Sequence, residues 1–446
     1  MGPFNFLAIV LLFACLVRAS SDSSTNTLSV HLTSGSFAGE SLAANGTERW
    51  LGIPFAQPPL GSLRFKAPVA ITRPSQILRN ATQFGNACPQ AASAGLGASI
   101  SEDCLFLNVW RPSGTTTRDK LPALVWFYGG AFMDGAASDP SFDPTRILAR
   151  SVTIGKPIMF ISVNYRVNTF GFLPRLVKHE PQLASSHVPT EDLNAGLLDQ
   201  RAALTFLQDN IGMFGGDPAK LNEGTSFSQS LLNLNTPSAE EDAAFVTFIK
   251  DLMIDPSTIT NSTFDTLISL YPANDSSLGG AFNTGDSLYD RGEAWYTDNM
   301  YLSARRLLFA KAAPLQPLFA YFFEEFIPGN PTDLGVYHGS ELGLLFGPVP
   351  NSIEDDFANQ LTDFYINFIN DLNPGSQWPQ YELSTKKVLQ LMRNNVTVIP
   401  DEDDIPQLCC GPGAVSKIVS RSQMFYAASL ENLSVNGSSG NSMPSD

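Results

Sequence analysis

A pair of glycines at the end of a buried apolar run is the first feature of this chain that could support chemistry. Residues 121–128 are continuously apolar and lead into Gly129-Gly130-Ala131-Phe132. Backbone N–H groups in such a turn can be aimed at the negative oxygen that develops during acyl transfer. Glycine suits the position because a side chain would block the carbonyl group or forbid the backbone angles. An ordinary turn has the same composition, so the pair indicates an oxyanion site only with support from elsewhere in the chain.

The elements that would position this turn alternate between strands and helices. A second continuous apolar run, residues 157–165, follows the first. Such runs are typical of parallel strands that are covered on both faces. Residues 197–210 carry apolar side chains at helical spacing. This order predicts an α/β fold with a mostly parallel central sheet flanked by helices.

Weaker patterns extend the prediction along the chain. Residues 28–32 alternate in polarity before a turn at Gly35, which predicts an N-terminal β-hairpin. Residues 240–253 and 355–372 are predicted helices, and residues 318–323 a further strand. We divide the chain into a signal peptide (1–20), a single domain (21–430) and a disordered tail (431–446).

Composition and charge exclude several classes of protein. The 446 residues are 43% hydrophobic and include 31 Phe, which argues for a large packed globule. The net charge of −16 opposes binding to nucleic acid or to anionic membranes. The acidic run 401–404 could suggest a metal site, but a solvated loop is the commoner explanation, so we predict no metal and no cofactor.

The N-terminus has the pattern of a secretory signal. Its apolar run, residues 5–17, is too short to cross a bilayer comfortably, and no later run of about 18 apolar residues occurs. Secretion without a stable membrane anchor is therefore the prediction, and a membrane-anchored form is the alternative. Glycosylation sequons fit this route and stand at Asn45, Asn80, Asn261, Asn274, Asn395, Asn432 and Asn436.

The cysteines fit an oxidising compartment. Four remain beyond the signal, and Cys88 and Cys104 flank a loop whose closure would contribute about 3 kcal/mol. Cys409 and Cys410 are adjacent, which places them poorly for bridging each other. A free or intermolecular thiol pair, or a lost partner, explains them.

Several motifs together resemble the type-B carboxylesterase and lipase family, which is part of the α/β-hydrolase superfamily. The resemblance covers nearly all of the chain after the signal. The Gly-Gly-Ala-Phe sequence is more similar to the secreted fungal lipases than to the cholinesterases. The matching motifs are Leu51-Gly52-Ile53-Pro54-Phe55, Glu102-Asp103-Cys104-Leu105, Asn164-Tyr165-Arg166, Asp199-Gln200-Arg201-Ala202 and Phe214-Gly215-Gly216-Asp217-Pro218.

This resemblance implies a site for acyl transfer. Gly130 and Ala131 would supply the oxyanion N–H donors. Glu223, within Asn222-Glu223-Gly224-Thr225, would be the carboxylate that orients a histidine. His338, within Gly335-Val336-Tyr337-His338-Gly339, would be the general base. The resemblance also implies a structural framework, in which Cys88 pairs with Cys104 and Arg64 forms a salt bridge with Glu102.

The nucleophile is absent from this pattern. The family presents its serine in a Gly-x-Ser-x-Gly turn at the tip of a central strand, and no such sequence occurs here. Ser41 has only a partial match in the wrong place, and Ser226 and Ser228 lack the second glycine. Asp217 and Glu223 are six positions apart, whereas in the family on the order of a hundred residues separate these motifs.

The resemblance therefore implies that one block is deleted near residues 218–223, including the central strands around the nucleophile. An omitted exon, a splice variant or a gene-model error would produce this pattern. Removing central strands predicts an unstable or rearranged product, unless the remaining strands close up.

We expect a secreted carboxylic ester hydrolase by family, acting on a small-molecule or lipid ester, and expect this chain to be inactive. The alternatives are a non-catalytic, cholinesterase-like binding protein and a truncated splice or gene-model product. The oligomeric state is left open.

Overall fold

The computed structural model describes residues 28–173, 189–225, 240–252, 259–275, 278 and 284–401. Several predicted features lie outside these residues: the signal peptide, the tail, Cys409, Cys410, Ser226, Ser228, Asn432 and Asn436. Glu402, Asp403 and Asp404 of the acidic run also lie outside them.

The described residues form twelve strands and nine α-helices. The strands are β1 (Ser29–Leu32), β2 (Gly35–Ala38), β3 (Glu40–Leu42), β4 (Thr47–Pro54), β5 (Ser75–Asn80), β6 (Phe106–Pro112), β7 (Leu121–Phe127), β8 (Met159–Val163), β9 (Gly216–Thr225), β10 (Tyr321–Phe323), β11 (Lys387–Leu391) and β12 (Thr397–Pro400). The helices are α1 (Thr145–Thr153), α2 (Asn168–Gly171), α3 (Ala195–Asn210), α4 (Glu241–Asp251), α5 (Asn261–Leu270), α6 (Ser287–Thr297), α7 (Ser303–Ala312), α8 (Leu342–Phe346) and α9 (Asp355–Asp371).

A six-stranded sheet in the order β3-β4-β6-β8-β7-β9 is the centre of the fold. The strands β8, β7 and β9 are parallel, whereas β3, β4, β6 and β8 pair antiparallel. The prediction of an α/β sheet is confirmed, and its parallel part is confined to the three strands around β7. The predicted N-terminal hairpin is confirmed as the antiparallel pair β1 and β2.

The continuous apolar runs form β7 and β8 because both faces of these strands are covered. Every residue of both strands is buried. Val125 and Phe127 face one core with Phe206 and Leu207 of α3, whereas Trp126 faces a second core. Covering both faces explains the lack of polar alternation in the sequence.

Strand β9 forms across the junction from residues such as Asp, Pro, Lys and Gly, which are uncommon in strands. It pairs in parallel with β7, from Ala123 opposite Leu221 to Phe127 opposite Thr225. The backbone groups at the edge of β7 need partners, and the residues after the junction provide them. The remaining strands have thus closed up, and β9 is the last strand on this side among the described residues.

The helices predicted from periodicity are confirmed as α3, α4 and α9. The strand predicted over residues 318–323 is shorter and is confirmed only as β10. The carbonyl of Leu318 accepts a hydrogen bond from the Tyr381 N–H at 2.7 Å, and the carbonyl of Ala320 accepts from Trp378 Nε1 at 2.9 Å. Residues 318–320 therefore make hydrogen bonds to the loop that contains Trp378 and Tyr381 and are not part of strand β10.

The prediction of a solvated acidic loop is wrong for Asp401. Its side chain is buried and accepts hydrogen bonds from Arg305 at 2.6 Å and Arg306 at 3.3 Å. The two guanidinium groups offset the desolvation cost of the buried carboxylate. The sequence pattern could not reveal these distant partners. Across the residues described, no helix is both long and apolar enough to span a bilayer.

Candidate active site

The glycine turn after β7 has a strained backbone. The N–H of Met133 donates to the carbonyl of Gly130 at 2.8 Å, which closes a four-residue turn. The two central residues, Ala131 and Phe132, have φ angles of 52° and 61°, in the left-handed region that side chains disfavour. Strain of this kind persists where the surroundings enforce it and is concentrated at functional sites.

Contacts of Phe132 with residues 168–172 hold this turn in place. The N–H of Asn168 donates to the carbonyl of Phe132 at 2.6 Å, and the Phe132 ring lies 4.9 Å from that of Phe172. The N–H groups of Gly130 and Ala131 make no hydrogen bond within the described part of the chain. Their role as oxyanion donors stays a prediction.

Gly130 cannot be replaced without moving the backbone. Its φ angle is 126°, and a Cβ atom there would lie 2.3 Å from the carbonyl oxygen of Asp134. This steric requirement is local, because Asp134 is only four residues after Gly130. The turn therefore needs glycine at this position for its shape.

Two tyrosines hold the ends of β7 and β8 together beneath this turn. The Tyr128 hydroxyl donates to the carbonyl of Tyr165 at 2.6 Å, and the Tyr165 hydroxyl donates to the carbonyl of Tyr128 at 2.7 Å. Their rings stack at 4.4 Å. Burial raises the pKa of Tyr165, so both hydroxyls remain donors at neutral pH. This reciprocal pair fixes the position from which the glycine turn begins.

A buried ion pair fixes α3 against the exit of β8. The backbone N–H, Nε and Nη2 of Arg166 all donate to the Asp199 carboxylate, at 3.0, 2.8 and 2.7 Å. Both side chains are at most 2% exposed. Burial raises the pKa of Asp199, and the Arg166 guanidinium opposes that shift. Both residues lie in motifs that match the family, but their pairing was not predicted from the sequence.

Glu223 lies in the ladder of β9, with its Cα opposite that of Val125. The end of β9, Thr225, is opposite Phe127, two residues before Gly129. The strand beside the glycine turn therefore carries the glutamate motif. The role of Glu223 as the partner of His338 stays a prediction.

His338 lies in the turn that precedes α8, and its ring stacks on that of Tyr301 at 4.9 Å. Burial lowers the pKa of His338, so the imidazole is neutral at neutral pH, as a general base requires. Helix α8 is anchored on the sheet, because the Phe346 ring lies 4.9 Å from that of Trp126 near the end of β7. No sequence pattern indicated Tyr301 as a neighbour of this histidine.

A buried carboxyl group close to His338 was also missed. Glu341 accepts a hydrogen bond from the Tyr321 hydroxyl at 3.4 Å. Burial raises the pKa of Glu341. Tyr365 belongs to the same polar group, because its side chain interacts with the Tyr321 hydroxyl through a hydrogen bond. Glu341 is three residues after His338, so its position in the motif was the available signal.

The framework residues predicted from the resemblance meet in space. Cys88 and Cys104 form a disulfide bond with Cα atoms 5.0 Å apart. The Arg64 guanidinium donates to Glu102 in a bidentate arrangement, at 2.5 and 2.6 Å. The sequon asparagines that the structure describes are all exposed: Asn45, Asn80, Asn261, Asn274 and Asn395.

A groove of about 450 Å³ lies elsewhere, between α3 and the loop that follows β4. Its lining includes Phe55, Leu198 and Phe206 but neither Gly130 nor His338. It is therefore separate from the candidate acyl-transfer residues. Among the described residues no cluster of His, Cys, Asp and Glu is suited to a metal ion.

Comparisons with known proteins match the first half of the chain. The model of the carboxylesterase family matches residues 26–222. A secreted lipase of Arthroderma benhamiae is 41% identical over 191 residues, which is 42% of this chain and 32% of the relative. Lipase 1 of Geotrichum candidum is 39% identical over 199 residues, 38% of this chain and 33% of the relative. The para-nitrobenzyl esterase of Bacillus subtilis is 41% identical over 180 residues, 39% of this chain and 33% of the relative.

The chain thus spans about a third of the length of these curated relatives. The matched segment includes the glycine turn and ends at residue 222, within β9. His338 lies beyond it. Residues 26–222, which include the glycine turn and build most of the α/β sheet, thus match the carboxylesterase family.

Proposed function

We propose that this chain represents a secreted carboxylic ester hydrolase whose complete form acts through a serine acyl-enzyme, and that the chain itself has no serine-dependent turnover. The match of residues 26–222 to the carboxylesterase family supports the reaction class. The secreted lipase of Arthroderma benhamiae supports an extracellular location and a lipid or small-molecule ester as substrate. The net charge of −16 suits an uncharged or cationic substrate.

One observation carries the proposal of inactivity. The strand beside β7, at the end of which the family presents its nucleophile, is β9, and its sequence GDPAKLNEGT contains neither serine nor cysteine. A carboxylate motif stands where a hydroxyl is needed. Without a nucleophile, an oxyanion site and a base cannot form the acyl-enzyme.

In the complete form the roles divide as in other acyl transferases. His338 takes the proton of the serine, Glu223 fixes the imidazole tautomer, and the N–H groups of Gly130 and Ala131 stabilise the oxyanion. In support, the Ala131 and Gly130 N–H groups make no hydrogen bond in the described structure, and burial keeps His338 neutral.

The test is to express the whole chain and to measure hydrolysis of a short-chain nitrophenyl ester and labelling by a fluorophosphonate. We expect the rate of buffer alone and no labelling. Turnover that His338→Ala abolishes and Ser41→Ala preserves would contradict the proposal. The Ser41→Ala variant is the control because Ser41 has the nearest partial match to a nucleophile motif.

Two further measurements test the finer statements. N-terminal sequencing of the medium fraction, and a mass shift on treatment with a glycosidase, would establish the signal and the sequons; an uncleaved, unglycosylated product would contradict secretion. Sequencing transcripts across the codons for residues 218–223 would show whether a longer form exists. A genome without coding sequence between them would contradict the proposed deletion.

A further inference from the structure

Two buried carboxyl groups share a single arginine in the C-terminal part of the molecule. Glu325 follows β10, Glu354 precedes α9 and Arg393 follows β11. Glu325 accepts from the Arg393 backbone N–H at 2.7 Å and from its Nε at 3.4 Å. Glu354 accepts from the same Nε at 3.0 Å. One guanidinium therefore joins three segments that are distant in sequence.

The charges of this cluster do not balance if both carboxyl groups are ionised. Glu325 is 4% exposed and Glu354 is fully buried, so neither charge is solvated. One cation against two carboxylates leaves a net charge of −1 out of contact with water. Burying an uncompensated charge is costly, and groups so placed change their protonation state instead.

An oxygen of Glu354 shows the same deficit. Its Oε2 atom is buried and has no hydrogen-bond partner among the described residues. An ionised carboxylate needs donors on both oxygens, whereas a protonated one supplies its own hydrogen. The second carboxyl, Glu325, is a neighbouring acceptor, and its charge contributes to raising the pKa of Glu354.

Within the described part of the chain, Arg393 is the only cation that forms an ion pair with the cluster. The charged side chains on the segments packed around it are Glu324, Glu341, Asp355, Asp356 and Lys387. Four are acidic, and Lys387 lies at the opposite end of β11 from Arg393. Burial and then repulsion from Glu325 raise the pKa of Glu354, and this outweighs the lowering by Arg393.

We propose that Glu354 retains a proton in the folded state and donates it to Glu325, so that the two carboxyl groups and Arg393 form a charge-neutral latch that holds β10, β11 and the start of α9 together. The cluster is a pH-sensitive element of the fold and takes no part in the proposed ester hydrolysis. Because the folded state retains a proton that the unfolded chain releases, stability is greatest below the ordinary carboxyl range. It is lost as pH rises towards the folded-state value.

The test is urea denaturation of the whole chain from pH 5 to pH 9, compared among the wild type, Glu354→Gln and the matched control Asp356→Asn. Asp356 is an exposed carboxyl two residues from Glu354. For the wild type we expect the folding equilibrium constant to fall by up to about tenfold per pH unit over the range in which the folded state keeps the proton and the unfolded chain has released it. Glu354→Gln should remove that slope, because its amide donates permanently in place of the proton, and Asp356→Asn should keep it.

A second variant protects the test against misfolding of the first. Glu325→Gln removes the negative charge that raises the pKa of Glu354, so it should also flatten the pH dependence. The double variant should be less stable than either single variant, since it leaves Arg393 without a carboxylate. A slope in both single variants equal to that of the wild type would overturn the proposal.

Discussion

In residues 28–225, two buried arginines each pair with one buried carboxylate. In residues 284–401, two clusters of ionisable side chains contain unequal numbers of arginines and carboxyl groups. In the first region Arg166 pairs with Asp199, and Arg111 pairs with Glu48, with every side chain at most 9% exposed. In the second, one arginine serves Glu325 and Glu354, while two arginines serve Asp401. The difference follows the boundary of the family match, which ends at residue 222. The unbalanced cluster around Glu354 is therefore expected to respond to pH through its unpaired carboxyl oxygen.

The two regions nevertheless share one packed interface. Leu345 and Phe346 of α8 lie in the same apolar cluster as Leu124 and Trp126 of β7. Arg146 of α1 donates to Thr362 of α9 at 2.7 Å. The charge difference therefore concerns the interior of each region, and the comparison can be tested on each side and at the interface.

The largest expected effect is the loss of a balanced pair. Asp199→Ala should lower the free energy of unfolding by about 3–5 kcal/mol, because it leaves the buried Arg166 uncompensated. Asp371→Ala is the control, since Asp371 is 55% exposed in its pair with Lys156, and its loss should amount to at most about 1 kcal/mol. Urea denaturation measures both. Equal losses would break the distinction between buried and exposed pairs.

Next is the interface between the regions. Phe346→Ala removes a buried ring from Trp126 and Phe160 and should destabilise the protein by about 3 kcal/mol or more. Trp126 lies against Phe346, so the tryptophan fluorescence of the native state should change as well. Phe368→Ala, at a site 39% exposed, is the control and should cost clearly less. An unfolding transition unaffected by Phe346→Ala would mean that the regions fold independently.

A smaller effect of opposite sign is expected at the glycine turn. Ala131→Gly should raise the free energy of unfolding by about 1 kcal/mol, because glycine adopts the φ angle of 52° without strain. The same change at Ala149, inside α1, should lower it by about 1 kcal/mol. Thermal melting of both variants measures the pair. A loss at both positions would contradict the strained turn.

The smallest effect concerns the pH dependence of His338. Because burial lowers the pKa of this imidazole, the unfolded chain takes up its proton first as pH falls below about 6.5. Stability is therefore lost towards acid pH, by under about 1.4 kcal/mol per pH unit. His338→Gln should remove this contribution, which denaturation between pH 5 and pH 7 measures. A proton NMR titration that places the His338 pKa above its ordinary value would reverse the sign.

Much of the fold was predictable because its signals are local. Continuous apolar runs predicted β7 and β8, and helical spacing predicted α3 and α9. The family motifs predicted the Cys88–Cys104 disulfide, which no spacing rule could have fixed. Each of these predictions depends on residue types and spacing within one short segment of the chain.

The rest depends on contacts between distant residues. Strand β9 forms from a polar sequence because β7 has an edge to satisfy, and no property of the sequence GDPAKLNEGT reveals that need. Asp401 is buried because Arg305 and Arg306 reach it from α7. In the candidate site, the glycine turn was visible in the sequence, whereas the stacking of Tyr301 on His338 was not.

The register of β9 suggests where the chain would accept additional sequence. Gly216 is opposite Leu121, and Leu221 is opposite Ala123, so four residues bulge out against one of β7. Pro218, Ala219 and Lys220 are exposed in this bulge. Exposed loops with independent pairing on both sides are the sites where inserted domains are tolerated. A designer who wished to graft a foreign strand, helix or reporter into this protein would therefore begin at Pro218, where a longer excursion leaves the neighbouring register intact.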